Sequence, residues 1–289
     1  FASVKSLAAA MEGMKAEGHP PSREQLDDMA RQQLRQYPDF VGTYSIWEPD
    51  ALDGRDAEFA NSSPVYDDTG RYIAYWNRAG GQIAVEPLVD YEKADWYDVP
   101  RRTLKQALIE PYVYAIGGQD VLLTTIASPI LVDGKFVGAS GADLPLKGVS
   151  ERLSRLEPVP GGKVSLLSSG GLYVAHADAD KLARKAEDLP AEALARVARG
   201  EPYRWEDGRG WVHLFSPVRM VEGVAPWSAV VSYPTAVAAA AARAEIVTAA
   251  SVAAVACLVA AVLLVWLLRM LMRPLKVLGR TMDELAMGH

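Results

Sequence analysis

A long apolar segment near the carboxyl end most constrains what this chain can fold into. Residues 246–268 are 23 consecutive residues without an Asp, Glu, Lys or Arg. At about 1.5 Å per residue, a helix of this length spans a hydrocarbon core of about 30 Å. A buried core helix is the alternative, but such helices seldom run that far without a charge. The segment therefore predicts a transmembrane helix.

The charges around this segment predict its orientation. Four Lys or Arg residues follow it within twelve positions, whereas the fifteen positions before it hold one, Arg243. The positive-inside rule then places residues 269–289 in the cytoplasm and residues 1–245 in the periplasm or outside the cell. We therefore expect a protein of the inner, or plasma, membrane, with the lipid bilayer as one partner.

The net charge of the chain is distributed in the same direction. The last 21 residues carry four basic and two acidic side chains, a net charge of +2. Because the whole chain has a net charge of −6, the first 268 residues must have a net charge of −8. An acidic exterior disfavours nucleic acid as a partner and favours cations as ligands. The single cysteine, Cys257, lies in the apolar segment, so the outer region must be held together by its core.

Residues that usually carry enzyme chemistry are sparse and scattered. The four histidines lie far apart and show no metal-ligand spacing, and the glycine-rich pieces lack the pattern of a phosphate loop. No serine lies in a sequence that resembles a nucleophile elbow. We therefore expect no catalytic residue, no metal and no cofactor. A membrane-tethered extracellular hydrolase is the enzymatic alternative.

The outer region shows helical spacing first and strand-like runs afterwards. Apolar residues recur every three or four positions over residues 2–36, interrupted at Pro20-Pro21-Ser22, which predicts a long helix. Short β-type runs separated by turns begin near residue 40, and a similar series follows residue 161. The clearest repeat is a hairpin that begins with Ser128-Pro129 in the first series and with Ser216-Pro217 in the second. The pattern indicates two tandem α+β modules with antiparallel sheets.

Three stretches give the chain a resemblance to a known family. They are Asp95-Trp96-Tyr97, the strand over residues 138–144, and the tail RPLKVLGRTMDELAMGH. Together with the element order, they make the chain resemble a bacterial double Cache sensor domain of a methyl-accepting chemotaxis receptor, followed by the start of a HAMP linker. The resemblance implies a homodimer with cytoplasmic signalling partners that act through an output domain outside this sequence. Histidine kinases and cyclic-dinucleotide enzymes share this arrangement.

The resemblance implies a domain order with two PAS-like (Cache) modules before the transmembrane helix. The expected ranges are a stalk helix (1–38), a membrane-distal, ligand-binding module (39–146), a membrane-proximal module (147–235), a connector helix (236–245), the transmembrane helix (246–268) and the start of the HAMP linker (269–289).

A missing arginine distinguishes this chain from the amino-acid-sensing members of that family. Those members place an Arg two residues before the Trp-Tyr pair to hold the ligand carboxylate, and Ala94 stands at that position here. Arg binds a carboxylate through a bidentate charged pair that no neutral residue replaces. The chain therefore resembles the amine-recognising branch. Tyr91 lies two positions from Val89, where the pattern would place an early tyrosine.

We therefore expect the distal module to bind a small organic cation, a polyamine or a biogenic amine. Carboxylates accept hydrogen bonds from ammonium groups, and aromatic faces attract the charge. The candidate ligand-binding residues are Asp143, Asp95, Trp96, Tyr97, Tyr112, Tyr91 and Tyr75. Amino-acid sensing remains the alternative function.

Several of these residues have an alternative, structural role. Asp143 could cap a helix that starts near Pro145, although Val137 and Gly141 are expected to share its strand face. Asp95 could point to solvent, because alternate side chains along an extended segment face opposite ways. Only one of Tyr75 and its neighbour Trp76 is expected to face the ligand.

Overall fold

The computed structural model describes residues 2–220, 223–237 and 239, in two units that comprise residues 1–233 and 234–289. The predicted transmembrane helix, the linker and most of the connector helix lie outside the described residues. Within those described ranges, no helix is long and apolar enough to cross a membrane.

Two helices, α1 (Ala2–Ala16) and α2 (Arg23–Gln36), stand where the pattern predicted one long helix. Ser22 begins α2 with a capping box, in which its hydroxyl accepts from the Gln25 amide at 3.1 Å and the Gln25 side chain accepts from the Ser22 amide at 2.8 Å. Residues at the start of α1 cluster with residues at the end of α2, so the two helices are antiparallel.

The larger sheet has seven antiparallel strands in the order β3-β2-β1-β7-β6-β4, with β5 also paired to β6. Its strands are β1 (Gly42–Trp47), β2 (Ala74–Asn77), β3 (Ala84–Pro87), β4 (Ala107–Leu108), β5 (Tyr112–Ile116), β6 (Gln119–Val132) and β7 (Lys135–Pro145). Helices α1 and α2 cover one face. The short helix α3 (Asp56–Phe59) lies between β1 and β2, and α4 (Asp95–Thr103) packs on the other face.

The hairpin of β6 and β7 contains a bulge that sets which side chains face α4. Asp133 and Gly134 both have positive φ, 52° and 73°, as a tight two-residue turn requires. Ile130 then pairs with Gly138 while Leu131 pairs with Phe136, so Val137 is an extra residue. The expectation that Val137 shares the face of Asp143 is therefore wrong, since Val137 packs in the cluster under α1.

The smaller sheet has five strands in the order β10-β11-β12-β8-β9. Helix α5 (Leu146–Leu153) leads into it, and its elements are β8 (Lys163–Leu167), β9 (Tyr173–Ala175), α6 (Ala191–Arg199), β10 (Tyr203–Glu206), β11 (Trp211–Val218) and β12 (Trp227–Pro234). Read from the other edge, this order, β9-β8-β12-β11-β10, repeats the order β2-β1-β7-β6-β5 of the larger sheet. Both sheets are antiparallel, as the sequence predicted.

Candidate ligand-binding site

The carboxylate of Asp143 is the centre of a buried polar group on the α4 face of the larger sheet. Asp143 is 3% exposed and accepts hydrogen bonds from the Tyr75 hydroxyl at 2.7 Å and from Thr125 Oγ1 at 2.6 Å. It lies inside β7, and Pro145 begins α5 without a side-chain cap. Asp143 therefore does not cap a helix.

Burial makes this carboxylate harder to ionise. Removal from water raises the pKa of Asp143 to about 6, and the hydrogen bonds from Thr125 and Tyr75 offset only part of that effect. Neither partner carries a charge, and Asp143 forms no ion pair within the part of the chain that the structure describes. The ionised form is therefore held in place by hydroxyl groups alone, which leaves it open to a positively charged partner.

The strand register and two glycines create this arrangement. Asp143 pairs with Thr125 on one neighbouring strand and with Gly42 on the other. A Cβ atom on Gly42 would collide with the Tyr75 hydroxyl, so the missing side chain lets the phenol reach Asp143. Gly141 likewise leaves room for the ring of Tyr44, which fills the space beside the carboxylate.

Aromatic side chains surround this carboxylate. Tyr44 meets Trp96 edge-on with 4.8 Å between ring centroids, and its hydroxyl donates to the Trp96 carbonyl at 3.3 Å. Tyr114 meets Tyr75 edge-on at 5.7 Å. Burial raises the pKa of Tyr44 and of Tyr75, and the charge of Asp143 adds to both shifts. These phenols therefore stay neutral and serve as hydrogen-bond donors or as aromatic walls.

A cleft of about 640 Å³ opens beside this aromatic group. Its lining comprises Val89, Asp90, Lys93, Ala94, Asp95, Trp96, Ile109, Glu110, Pro111, Tyr112, Val113, Tyr114, Ala115 and Asp120. The lining therefore has four carboxylates and one ammonium group. Asp143 lies behind this wall, but Tyr112 lines the cleft and bonds to Thr125 at 2.6 Å. Because Thr125 donates to Asp143, the Tyr112 hydroxyl is the donor to Thr125, which links the cleft to the buried carboxylate.

The structure brings five of the seven predicted residues to this region. Asp95, Trp96 and Tyr112 line the cleft, and Tyr75 contacts Asp143 behind it. Asp95 is exposed and lies in the first turn of α4. The sequence had predicted an extended segment here, and the structure has a helix instead. The alternation argument for Asp95 therefore does not apply.

The other two predicted residues, Tyr91 and Tyr97, do not line the cleft. The Tyr97 hydroxyl bonds to Arg71 and Glu48, and the Tyr91 hydroxyl donates to Asp67 at 2.8 Å. The Arg71 guanidinium lies 5.0 Å from the centroid of the Tyr91 ring and 5.3 Å from that of the Tyr97 ring. Successive residues on a helix point about 100° apart, so α4 directs Trp96 and Tyr97 to different neighbours.

Sequence reasoning missed Tyr44, Tyr114 and Thr125. The hairpin turn at Asp133-Gly134 could have indicated Thr125, because counting back across the hairpin from Asp143 leads to residues 124 and 125. Tyr44 lies in a segment that was predicted to be a strand, yet nothing local marks its contact with Trp96, 52 residues away.

Replacing Gly141 by alanine tests the packing of Tyr44. The added Cβ would overlap the Tyr44 ring, so we expect a loss of about 1–3 kcal/mol in the free energy of unfolding. Gly148→Ala in α5 is the control, because no atom lies within 4 Å of its added Cβ and alanine favours a helix by about 0.5–1 kcal/mol. Urea unfolding of the detergent-solubilised chain measures both. Equal stability of the two variants would contradict this packing.

Comparison with known proteins shows which sequences this chain is similar to. A family model for the first PDC sensor domain of methyl-accepting chemotaxis protein-like sequences matches residues 26–151. The chain is 29% identical over 233 residues to methyl-accepting chemotaxis protein TlpQ of Pseudomonas aeruginosa, across 73% of this chain and 33% of the relative. It is 31% identical over 224 residues to methyl-accepting chemotaxis protein PctB of the same organism. This match covers 75% of this chain and 35% of PctB. The chain thus spans about one third of the length of these relatives.

Solved structures agree with the sequence matches. The extracellular domain of mmHK1S-Z3, assigned as a histidine kinase, is 29% identical with a TM-score of 0.72, over 84% of this chain and 89% of that one. Residues 26–151 form a PDC, or Cache, sensor domain. The structure of methyl-accepting chemotaxis protein X is 26% identical with a TM-score of 0.67. This match covers 81% of this chain and 91% of that one. The matches are to chemotaxis proteins and to the extracellular domain of a histidine kinase, which is consistent with the expectation that this region is not an enzyme.

Proposed function

We propose that the PDC sensor domain binds a small organic cation, a polyamine or a biogenic amine, in the cleft beside Trp96. The observation that carries this proposal is the buried Asp143 carboxylate, which pairs with no cationic side chain among the described residues. An ammonium group that reached Asp143 would supply the missing positive charge. Four further carboxylates against one lysine in the cleft lining favour the same sign of ligand.

The route of the ligand follows from the residues between the cleft and Asp143. Trp96, Tyr112 and Tyr114 present aromatic faces, and each cation–π contact is worth about 0.5–2 kcal/mol. Displacement of the Tyr112 hydroxyl from Thr125 would then open the way to the buried carboxylate. Binding in this proposal therefore rearranges the wall formed by β5.

The same wall contacts the smaller sheet, which suggests how binding is passed on. Glu110 lines the cleft, and its Oε1 accepts from Ser169 Oγ at 3.0 Å and from the Gly170 amide at 2.9 Å. These two residues belong to the turn between β8 and β9. Movement of the wall would therefore move that turn, and we propose that this movement continues towards residues 246–268.

At the level of the whole protein, we propose a transmembrane chemoreceptor. Residues 1–245 would lie in the periplasm or outside the cell, and the tail after the predicted inner-membrane helix would act through cytoplasmic partners in a homodimer. The support is the relatedness to chemotaxis proteins together with the apolar segment and its basic flank.

Amino-acid sensing is the second candidate, and two observations favour it. The ligand-binding domain of PctB has been solved in complex with L-Arg, and PctB is a sequence relative of this chain. In addition, Lys93 lines the cleft and could pair with a ligand carboxylate in place of the missing arginine at Ala94. In this alternative, Lys93 becomes essential.

Thermal unfolding of the detergent-solubilised 289-residue chain with single added compounds separates the two candidates. Putrescine, spermidine and histamine are expected to raise the unfolding temperature, because they bind only the folded chain. Lys93→Met should preserve or strengthen this response, since it removes a like charge. Stabilisation by L-amino acids but not by amines, together with its loss in Lys93→Met, would replace the amine proposal with the alternative.

A further inference from the structure

A second cleft, of about 520 Å³, lies on the smaller sheet. Strands β8, β11 and β12 and the segment that follows β9 contribute most of its lining. The residues are Lys163, Val164, Ser165, His176, Ala177, Asp178, Asp207, Trp211, His213 and Ser232. None of them contributes to the cleft beside Trp96.

The second cleft occupies the position in the smaller sheet that Asp143 and its partners occupy in the larger one. Strands β6 and β7 correspond to β11 and β12 in the repeated strand order. Thr125 precedes Ser128-Pro129 by three residues, and His213 precedes Ser216-Pro217 by three residues. Thr125 bonds across to Asp143, and His213 Nδ1 bonds across to Ser232 Oγ at 2.8 Å.

The residues at these corresponding positions are less negative in the smaller sheet than in the larger one. The buried carboxylate of Asp143 is replaced by the hydroxyl of Ser232. Gly42 is the β1 partner of Asp143, whereas Lys163 is the β8 partner of Ser232. At the position that corresponds to Asp143, the smaller sheet therefore has a hydroxyl in place of the carboxylate and a lysine beside it.

One nitrogen of the His213 imidazole makes no hydrogen bond, although it faces the Asp207 carboxylate. Its Nε2 is buried and makes no hydrogen bond, because the nearest carboxylate oxygen, Asp207 Oδ2, is 3.7 Å away. The Trp205 ring stacks on the imidazole at 4.9 Å and holds its orientation. In the tautomer in which Ser232 donates to Nδ1, Nε2 carries a proton that it can donate to a ligand.

Lys163 and the two aspartates of this cleft differ in their polar contacts. Lys163 Nζ lies 5.4 Å from the Trp211 ring centroid and forms no ion pair within the described part of the chain. Asp207 accepts from the amides of Arg209 at 2.7 Å and Trp211 at 3.0 Å, and Asp178 accepts from the Asp180 amide at 3.0 Å. The aspartates thus hold local turns, and Asp207 also lies 3.7 Å from His213 Nε2, so a ligand would share that nitrogen with Asp207.

We propose that this second cleft binds a small carboxylate. The Lys163 ammonium group pairs with the carboxylate, and His213 Nε2 donates a hydrogen bond to it. Ser165 also lines this cleft. A metal ion does not fit as the occupant, because no group of three or more His, Cys, Asp or Glu side chains in the described ranges is arranged to hold one.

Titration calorimetry of the detergent-solubilised 289-residue chain tests this site with acetate, propionate, pyruvate and L-lactate at pH 7.5. At least one of these compounds is expected to bind saturably and to change the fluorescence of Trp205 and Trp211. Lys163→Met should weaken that binding by about tenfold or more, since a charged partner is lost. His213→Gln is a second variant that removes the imidazole donor.

Two controls make the result specific. Lys135→Met removes an exposed lysine at the end of the β6–β7 hairpin and should leave carboxylate binding unchanged. Asp143→Asn should also leave it unchanged, so this outcome is independent of the amine proposal. The inference is overturned if none of the four carboxylates binds at millimolar concentration, or if Lys163→Met and His213→Gln bind them as tightly as the parent chain.

Discussion

Asp143→Asn is expected to abolish stabilisation by amines and, at the same time, to make the empty chain more stable. The carboxylate is the buried anion to which the ammonium group would bind, and asparagine keeps its shape without its charge. At pH 7.5, the free energy of unfolding should rise by about 1–3 kcal/mol, because the raised pKa shows that ionised Asp143 destabilises the folded state. Urea unfolding and amine-induced thermal shifts measure the two effects.

The pH dependence of this gain follows from the direction of the pKa shift. The folded-state pKa of about 6 lies above the ordinary value of 3.8 for aspartate, so the folded chain binds an additional proton between these pH values. The stability that protonated Asp143 contributes is complete below about pH 4 and is lost as the pH rises through 6. Asp143→Asn should therefore match the parent chain near pH 4 and exceed it above pH 6. Amine affinity of the parent chain should fall below pH 6.

An exposed aspartate of the same domain provides the control. Asp68→Asn should change neither the free energy of unfolding nor the amine response by a measurable amount, because Asp68 is solvent-exposed and away from the cleft. A destabilised Asp143→Asn chain would show that the carboxylate has a structural role. Retained amine binding would remove Asp143 from the ligand site.

Arg23→Met is expected to cost about 3–5 kcal/mol in the free energy of unfolding, the largest loss of any substitution considered. Arg23 is 6% exposed and bonds to Asp53 at 2.8 and 3.0 Å, to Asp56 at 2.6 Å and to the Gly70 carbonyl at 2.8 Å. Its guanidinium also lies 4.1 Å from the centroid of the Phe59 ring. Methionine would leave the buried Asp56 and the half-buried Asp53 without this cation.

The loss should depend on pH in a defined way. The Arg23 guanidinium holds the pKa of Asp53 below its usual range, so the pair stabilises the fold above about pH 4 and loses that effect as the pH falls. The difference between Arg23→Met and the parent chain should therefore shrink towards pH 3. Arg35→Met, in the exposed last turn of the same helix, should cost less than about 1 kcal/mol. Similar losses for both variants would contradict the buried network.

The hairpin of β6 and β7 shows what the sequence could predict at the site. The sequence pattern predicted a hairpin that begins with Ser128-Pro129, and the structure contains it, with its turn at Asp133 and Gly134. A regular two-residue hairpin would place Asp143 opposite residue 124, and the extra residue at Val137 moves its partner to Thr125. Valine is common in regular strands, so the bulge left no local signal.

The α4 region shows why the rest of the site could not be predicted. Ala94 precedes this helix and makes no side-chain cap, so the usual start signal is absent and the segment looked extended. Once the segment is helical, Trp96 and Tyr97 no longer alternate across a strand, and only Trp96 reaches the cleft. The contact between Tyr75 and Asp143 joins residues 68 positions apart and depends on Gly42, which sequence patterns do not reveal.

The position of Glu110 restricts how this sensor can change its ligand during evolution. One side chain lines the cleft and also bonds to the Ser169-Gly170 turn of the smaller sheet, with Gly170 packed so closely that a Cβ there would lie 2.9 Å from Glu110 Oε2. A substitution at 110 that altered ligand preference would alter the contact between the sheets as well. Under the proposed function, changes in specificity that preserve this contact should therefore arise at other cleft residues, such as Asp90 and Asp95.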